Sequence, residues 1–285
     1  MGERPENHQK IKTMNDSEKL PAYFVPHGGG PWHVMDDAFG DPEGYGKLKK
    51  YLEDLGKKYK DRINAVLVIS GHWEEPVATI YSSESPALFY DYYGFPEFTY
   101  KLQWPAKGDA GLALQIEKLL KTSGFSSDRD ERRGYDHGSF VPLMVAFPNA
   151  EVPVVQLSLI KGLDPKIHIE MGKALEPLRK EGVLIIGSGM SYHNMQGFMS
   201  ESLTGASASK QFDEWLTRSV EKNNAIERNE LLVNWERAPK ARESHPRSEH
   251  LAPLFVIAGA AGDDTAISDY SGLLMGINIS GYKFG

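Results

Sequence analysis

The chain has 285 residues, of which 40% are hydrophobic and 25% charged, and its formal net charge is -7. This is the composition of a globular protein with enough apolar residues for a sizeable core. The acidic balance argues against a nucleic-acid-binding surface, and the lack of cysteine excludes disulfides, thiolate metal ligands and thiol nucleophiles. No apolar run approaches the roughly 20 residues that span a bilayer.

Residues 1–19 are predicted to form a disordered tail, because they mix both charge signs and hold few apolar side chains. They also lack the hydrophobic core of a signal peptide. No linker rich in Gly, Ser or Pro divides the rest of the chain. We therefore expect a cytoplasmic protein with a single domain over residues 20–285.

Short β-type runs alternate with longer helical patterns. The predicted strands, rich in Val, Ile and Leu, are Ala22–Val25, Ala65–Ser70, Val77–Tyr81, Val152–Leu159, Val183–Ile186 and Leu273–Ile279. The predicted helices are Tyr45–Lys60, Ala110–Thr122, Phe140–Phe147, Pro165–Lys180, Ser207–Lys222 and His250–Ala260. Strands that are apolar throughout suit a sheet covered on both faces. The pattern predicts an α/β fold with a mostly parallel central sheet flanked by helices.

Two local features accompany these elements. Ser139 and Ser248 are predicted to cap the third and the last helix, each with a proline near the helix start. Residues 84–105 are dense in aromatic side chains and proline and have little periodicity. This segment is interpreted either as one wall of a pocket or as an aromatic loop packed on the sheet.

The stretch Pro26–Pro31, Pro-His-Gly-Gly-Gly-Pro, follows the first strand and has three explanations. An esterase oxyanion loop requires a G-x-S-x-G elbow elsewhere, and Gly187-Ser188-Gly189 lacks that spacing. A phosphate-binding loop requires a Walker sequence or a G-x-G-x-x-G turn, and Trp32 follows the glycines and Pro31 instead. A metal ligand on a turn is the explanation that remains.

Five of the histidines are placed to meet at one edge of the sheet. His27, His72 and His193 each follow a predicted strand, whereas His137 and His250 each precede an apolar helix. The carboxyl ends of parallel strands form the edge at which open α/β proteins build their sites. Without thiolates, clustered imidazoles suit Zn, Fe or Cu, and three protein ligands leave positions open for catalysis. The residues themselves do not choose the metal.

Six motifs then occur in order, from about Pro21 to the C-terminus. They are Pro26–Pro31, Ser70-Gly71-His72-Trp73, Tyr135-Asp136-His137-Gly138-Ser139, Val154-Val155-Gln156-Leu157-Ser158, Gly187-Ser188-Gly189 with His193-Asn194, and Glu249-His250-Leu251-Ala252-Pro253-Leu254. In this order they resemble the LigB-like class III extradiol ring-cleavage dioxygenases, in particular the DOPA-4,5-dioxygenase-like branch. The first motif has Gly-Gly-Gly where relatives often have Gly-Ser.

The resemblance implies a non-haem metal held by His27, His72 and His250, with Fe(II) required for activity. It implies that His193 is the catalytic acid and base, and that His137 hydrogen-bonds bound oxygen or substrate. Zn(II) can occupy such a site in the isolated protein, with His193 then close enough to be a fourth ligand. The implied reaction cleaves the ring of a small catechol, such as DOPA, with O2 to a muconic semialdehyde, and involves neither nucleic acid nor membrane.

Several alternatives remain open at this point. Glu249 adjoins His250, and more distant class III enzymes use a carboxylate as the third ligand. Asp136 and Asn194 are candidates to orient the neighbouring histidines. Trp32, Trp73 and Tyr192 could wall the substrate ring or simply pack in the core. A zinc-dependent hydrolase and a non-enzymatic binding protein on the same fold also fit these residues.

Overall fold

A computed structural model describes residues 19–199 and 204–285. The predicted tail lies outside these residues except for Lys19, whose Nζ is 2.9 Å from Asp264 Oδ1. The strands are β1 (Ala22–Pro26), β2 (Ala65–Glu75), β3 (Ala78–Tyr81), β4 (Ser127–Asp130), β5 (Val154–Ile160), β6 (Val183–Gly189), β7 (Ala266–Leu274) and β8 (Ile277–Phe284). The α-helices are α1 (Pro42–Tyr59), α2 (Ala110–Thr122), α3 (His137–Ala146), α4 (Pro165–Leu175), α5 (Met195–Met199), α6 (Thr204–Val220), α7 (Ala225–Val233), α8 (Ala241–Ser244) and α9 (Ala252–Ala260).

All eight strands form one sheet, in the order β4-β3-β5-β2-β6-β1-β8-β7. Its centre, β5-β2-β6-β1, is parallel throughout, and β4 runs parallel to β3. The contacts of β3 with β5, of β8 with β1 and of β7 with β8 are antiparallel. The prediction of a mostly parallel α/β sheet in a single domain is confirmed. The parallel centre brings the carboxyl ends of β1, β2 and β6 to one edge.

The central strands are buried on both faces. In β2, Val66 and Val68 pack into the apolar layer that contains α1 and α3, whereas Leu67 and Ile69 pack into the layer that contains α2, α4 and α9. Each fully buried side chain of this size contributes about 1.5–3 kcal/mol to the stability of the fold. Helix α9 is buried over its whole length, which explains why its sequence is apolar all round.

Two elements of the sheet differ from the prediction. The run Leu273–Ile279 is a hairpin and not one strand, because β7 ends at Leu274 and β8 begins at Ile277. Between them Met275 and Gly276 both have positive φ, 51° and 79°, as a two-residue hairpin loop requires. The turn was not predicted from the sequence, because apolar residues lie on both sides of it. Strand β4 was not predicted, because its sequence, SDRD, is entirely polar.

The predicted serine caps are also wrong. The N-cap of α3 is Asp136, whose Oδ1 accepts a hydrogen bond from the backbone N–H of Ser139 at 3.0 Å. Helix α9 begins after Leu251 without a side-chain cap. Its first N–H groups bond to the backbone carbonyl of Ser248. Across the described ranges, we find no helix with the length and apolar character needed to cross a membrane.

Candidate metal centre and active site

Three histidines reach the carboxyl edge of the sheet from different elements. His27 directly follows β1, and its N–H bonds to the Gly189 carbonyl at the end of β6. His72 lies inside β2, where the pairing with β5 is interrupted between Ile69 and Glu74. His250 lies just before α9, and its carbonyl accepts a hydrogen bond from Met190 N–H. Backbone hydrogen bonds thus fix two of the three relative to β6.

The three imidazoles turn the same nitrogen toward each other. The Nε2 atom of His72 lies 3.3 Å from Nε2 of His27 and 3.2 Å from Nε2 of His250. Two nitrogens bound to one divalent ion at about 2.1 Å, in tetrahedral or octahedral geometry, lie about 3.0–3.4 Å apart. The observed spacing therefore fits a shared ion.

The outer nitrogen of each of the three rings faces an oxygen atom. Nδ1 of His27 is 3.2 Å from Ser188 Oγ, and this hydroxyl donates its proton to the Gly138 carbonyl, so it accepts from His27. Nδ1 of His250 is 3.0 Å from Glu249 Oε1. Nδ1 of His72 is 3.5 Å from Asp91 Oδ2. These acceptors favour the proton on Nδ1 and leave the Nε2 lone pairs facing inward, which is the tautomer of a metal ligand.

Burial keeps the cluster uncharged. Removal from water, together with the other imidazoles, holds the pKa of His27 and of His250 well below the ordinary value. Burial, with the nearby His137, lowers the pKa of His72 to about 4, although Asp136 and Asp91 oppose the shift. Neutral imidazoles are the form that binds a metal ion. The donor set is therefore ready for a cation at neutral pH.

Glycines allow the elements that carry these histidines to approach closely. A Cβ on Gly189 would lie 2.1 Å from the His250 carbonyl oxygen. A Cβ on Gly138 would lie 2.7 Å from Cδ2 of His72 and 2.4 Å from Ser70 Oγ. Both contacts are shorter than atoms tolerate, so a side chain at either position would push a histidine away. The glycines beside His27 have a different role, because Trp32 packs over Gly28 and Phe95 over Gly30.

Two further imidazoles flank the cluster. The ring of His193 stacks on His250, with centroids 3.4 Å apart, and its Nδ1 is 3.3 Å from Glu249 Oε1. The ring of His137 lies 4.0 Å from the ring of His72, centroid to centroid. All five histidines selected from the sequence are thus brought together. His193 and His72 keep 25% and 20% of their side chains exposed, which opens the cluster to solvent on their side.

Three carboxylate and hydroxyl partners of these histidines were missed in the sequence. Asp91 contacts His72 and His137, Ser188 contacts His27, and Glu249 contacts His250 and His193. Glu249 was considered as a ligand and not as a partner. A signal existed for Ser188, because it lies near the carboxyl end of β6, the strand that pairs with β1. No periodicity or motif pointed to Asp91, because it lies in an irregular segment.

The residues proposed to orient the histidines do something else. Asp136 is fully buried and accepts from Ser70, Gln156 and the helix start, and its Oδ2 is 2.9 Å from Arg133 Nη1. It thereby supports the backbone of His72, whose N–H bonds to Ser70 Oγ. Asn194 donates to the Glu243 carbonyl instead of reaching an imidazole.

The three aromatic residues considered as walls of the site mostly contact other parts of the protein. Trp32 is buried and donates to the His27 carbonyl at 2.7 Å, and Trp73 donates to Glu75. Tyr192 packs against Phe198. The segment 84–105 does border the cluster, because the ring of Tyr92 lies 5.9 Å from that of His137. Its interpretation as a wall of the site is consistent with this contact.

The fold and the cluster define a class: α/β enzymes that carry a histidine-rich metal site at the carboxyl edge of a mostly parallel sheet. Comparison with known proteins defines the family. Residues 21–279 match the family model of the catalytic LigB subunit of aromatic ring-opening dioxygenase. The chain therefore belongs to this metal-dependent family, and it is an extradiol dioxygenase.

Individual relatives agree with this assignment. The 4,5-DOPA dioxygenase extradiol of Beta vulgaris is 38% identical over 245 residues, which are 85% of this chain and 87% of the relative. Dioxygenase tasH of Hapsidospora irregularis is 34% identical over 280 residues, 93% of this chain and 85% of the relative. A crystal structure of an uncharacterized protein from Escherichia coli K12 matches with a TM-score of 0.76 and 26% identity, over 94% of this chain and 100% of that one.

Proposed function

We propose that the protein opens the aromatic ring of a catechol with O2 and releases a muconic semialdehyde that contains both oxygen atoms. The single observation that carries this proposal is the convergence of three Nε2 atoms at 3.2–3.3 Å, with two further imidazoles beside them. A metal ion with three protein ligands keeps coordination positions open for a chelating substrate. The name of the Beta vulgaris relative supports a DOPA-like catechol.

The proposed metal is Fe(II), held by His27, His72 and His250. Bound there, it supplies Lewis acidity toward the two ring oxygens and a path for electrons from the ring to O2. Imidazoles also bind Zn(II) well, so zinc is expected to occupy the same three nitrogens in protein isolated without added iron. Glu249 is not needed as a ligand, because its Oε1 contacts the outer nitrogen of His250.

His193 is the proposed acid and base. Its Nδ1 faces Glu249, so the lone pair of Nε2 is available to a substrate hydroxyl. An imidazole exchanges protons readily near neutral pH. In this role His193 takes the proton of a catechol hydroxyl as the substrate binds, and returns it to an oxygen of the product as the ring opens.

His137 is the proposed second pocket residue. Its Nδ1 is held by Asp91 at 2.8 Å, which directs the other edge of the ring away from that carboxylate. A donor fixed beside an oxygen that becomes negative stabilises it by up to a few kcal/mol in a site without water. Tyr92, packed against His137, contributes apolar surface that excludes water on this side.

The experiment that tests the function is reconstitution with Fe(II) under anaerobic conditions, followed by a panel of catechols and then air. We expect oxygen uptake in step with loss of catechol, and a yellow product. Zinc-loaded protein is the matched control and should be inactive. Hydrolysis by the zinc form without oxygen would instead indicate a hydrolase, and catechol binding without turnover in the iron form would indicate a binding protein.

A further inference from the structure

Asp91 joins an irregular segment of the chain to the metal cluster. It lies in the aromatic segment 84–105, between β3 and α2. Its Oδ1 accepts two hydrogen bonds from His137, from the backbone N–H and from Nδ1, both at 2.8 Å. Its Oδ2 is 3.5 Å from Nδ1 of His72. One carboxylate therefore contacts a proposed ligand and a proposed pocket residue at once.

The contacts of Asp91 show that its carboxylate acts as an acceptor. Only 13% of its side chain is exposed, and its Oδ1 accepts from the backbone N–H of His137, a group that can only donate. An ionised carboxylate has only acceptor sites. Any ring nitrogen that faces it is therefore kept as N–H.

The two rings differ in their other polar contacts. Nε2 of His72 also lies 3.3 Å and 3.2 Å from Nε2 of His27 and His250, whereas in the described part of the chain the polar side-chain contact of the His137 ring is Asp91. The centroids of His72 and His137 are 4.0 Å apart with the ring planes at 49°, so neither ring locks the other by stacking. On its other side His137 meets the ring of Tyr92 at 5.9 Å, which is an apolar contact. The carboxylate of Asp91 is thus the polar group that faces Nδ1 of both rings.

We propose that Asp91 is a positioning residue of the metal centre: it fixes the proton on Nδ1 of His72 and of His137, and so presents Nε2 of His72 to the metal and Nε2 of His137 to substrate or oxygen. The roles of the two histidines rest on the proposed function. The tautomers and the metal affinity that the carboxylate sets do not depend on which reaction follows. Partners of this kind change metal affinity by about 10–100-fold when they are removed.

Asp91→Asn is expected to change the contact with His72 while it keeps the contacts with His137. An amide oxygen at the Oδ1 position still accepts both bonds from His137. The amide nitrogen at the Oδ2 position then faces the N–H of His72, and two donors oppose each other. We expect the substitution to weaken metal affinity while it leaves the Nδ1–H of His137 in place. Asp91→Ala should remove both contacts, so that metal affinity falls and the proton of His137 is no longer held on Nδ1.

The experiment measures zinc affinity by competition with a chromophoric chelator, and histidine tautomers by nitrogen NMR of the zinc-loaded protein. Glu97→Gln is the matched control, since it makes the same change on the same segment at an exposed glutamate that pairs with Lys101. We expect a tenfold or larger loss of affinity in Asp91→Asn and none in Glu97→Gln. Thermal unfolding shows whether each variant folds. If Asp91→Ala does not fold, the comparison of Asp91→Asn with Glu97→Gln is the test.

Unchanged affinity in Asp91→Asn, within twofold of the parent protein, would overturn the proposal. An unchanged His137 tautomer in a folded Asp91→Ala would overturn the part that concerns His137. The same proteins loaded with iron and given a catechol test the proposed function separately. A wild-type protein that binds zinc tightly but consumes no oxygen in its iron-loaded form would reject the function. The affinity and tautomer results would then still decide the role of Asp91.

Discussion

The imidazole of His193 lies flat on that of His250, with an interplanar angle of 16° and centroids 3.4 Å apart. A single oxygen, Glu249 Oε1, faces the Nδ1 atom of both rings, at 3.3 Å and 3.0 Å. The two rings thus present corresponding edges in the same general direction, although only His250 has its Nε2 beside His72. This arrangement places the imidazole that we propose to transfer protons next to the cluster, without using it as one of the three converging nitrogens.

We predict that His193→Phe abolishes ring cleavage but preserves metal content. The phenyl ring can keep the stacking on His250 but has no nitrogen to move a proton. We expect kcat to fall by about 10²–10⁴-fold, the usual contribution of a general acid or base. Metal analysis of the same sample is the check, and loss of the metal along with activity would make His193 a ligand.

We predict that His72→Ala removes the metal. His72 has the central place in the cluster, because its Nε2 is close to Nε2 of both His27 and His250. Two remaining imidazoles bind a divalent ion much more weakly than three. Metal content after dialysis is the measurement, with His33→Ala as the control, since His33 contacts Met144 outside the cluster. Full occupancy in His72→Ala would contradict the ligand assignment.

We predict that Gly138→Ala lowers both stability and metal affinity. The new methyl group would meet Cδ2 of His72 at 2.7 Å, and overpacking of this kind costs about 1–3 kcal/mol. Gly46→Ala, in α1, is the matched control because a Cβ there meets nothing within 4 Å. That control should gain up to about 1 kcal/mol from helix propensity. Equal behaviour of the two variants in urea unfolding and zinc titration would exclude the steric explanation.

We predict that His245 makes the metal-free protein less stable in mild acid. Burial lowers the pKa of His245 to about 4, although its bond to the Ser191 carbonyl opposes this shift. The unfolded chain takes up a proton near pH 6.5, so the contribution of the neutral ring is complete above that pH and is lost as the pH falls toward 4. The loss reaches about 2 kcal/mol by pH 5.

Urea unfolding at pH 7.5 and pH 5 measures this loss. His245→Gln keeps a donor for the Ser191 carbonyl but has no titrating group, so its stability should change less between the two pH values. The other histidines remain in both proteins, and their contributions cancel in the comparison. An identical pH dependence in the two proteins would show that His245 does not contribute.

Much of the site could be predicted, because residues that follow the strands of a parallel sheet lie at the carboxyl edge of that sheet. His27 and His193 follow β1 and β6, which pair directly in parallel, so their placement at one edge follows from the recognised strands. His72 was also expected there, although it lies in a break of the β2–β5 ladder and not after the strand. The family motifs supplied the choice of His250 over Glu249, which spacing alone left open.

The remainder depends on contacts that no local pattern encodes. Asp91 reaches His137 from a segment without periodicity, and Asp136 turns its carboxylate to Ser70 and Gln156, away from the histidine that follows it. The hairpin at Met275 was hidden because apolar residues continue through it. In each case tertiary packing determines the local structure or the contacts of the side chain, and the neighbouring residues in the sequence do not indicate them.

The position of β8 has a consequence for how the histidine cluster forms. Strand β8 pairs antiparallel with β1 along Ala22–Phe24, and His27 follows directly on β1. Strand β1 is therefore held on one side by a strand that is distant from it in the sequence, and its neighbour on the other side, β6, is distant as well. The cluster comes together only when these long-range pairings have formed, so a partly folded chain without them has no assembled site.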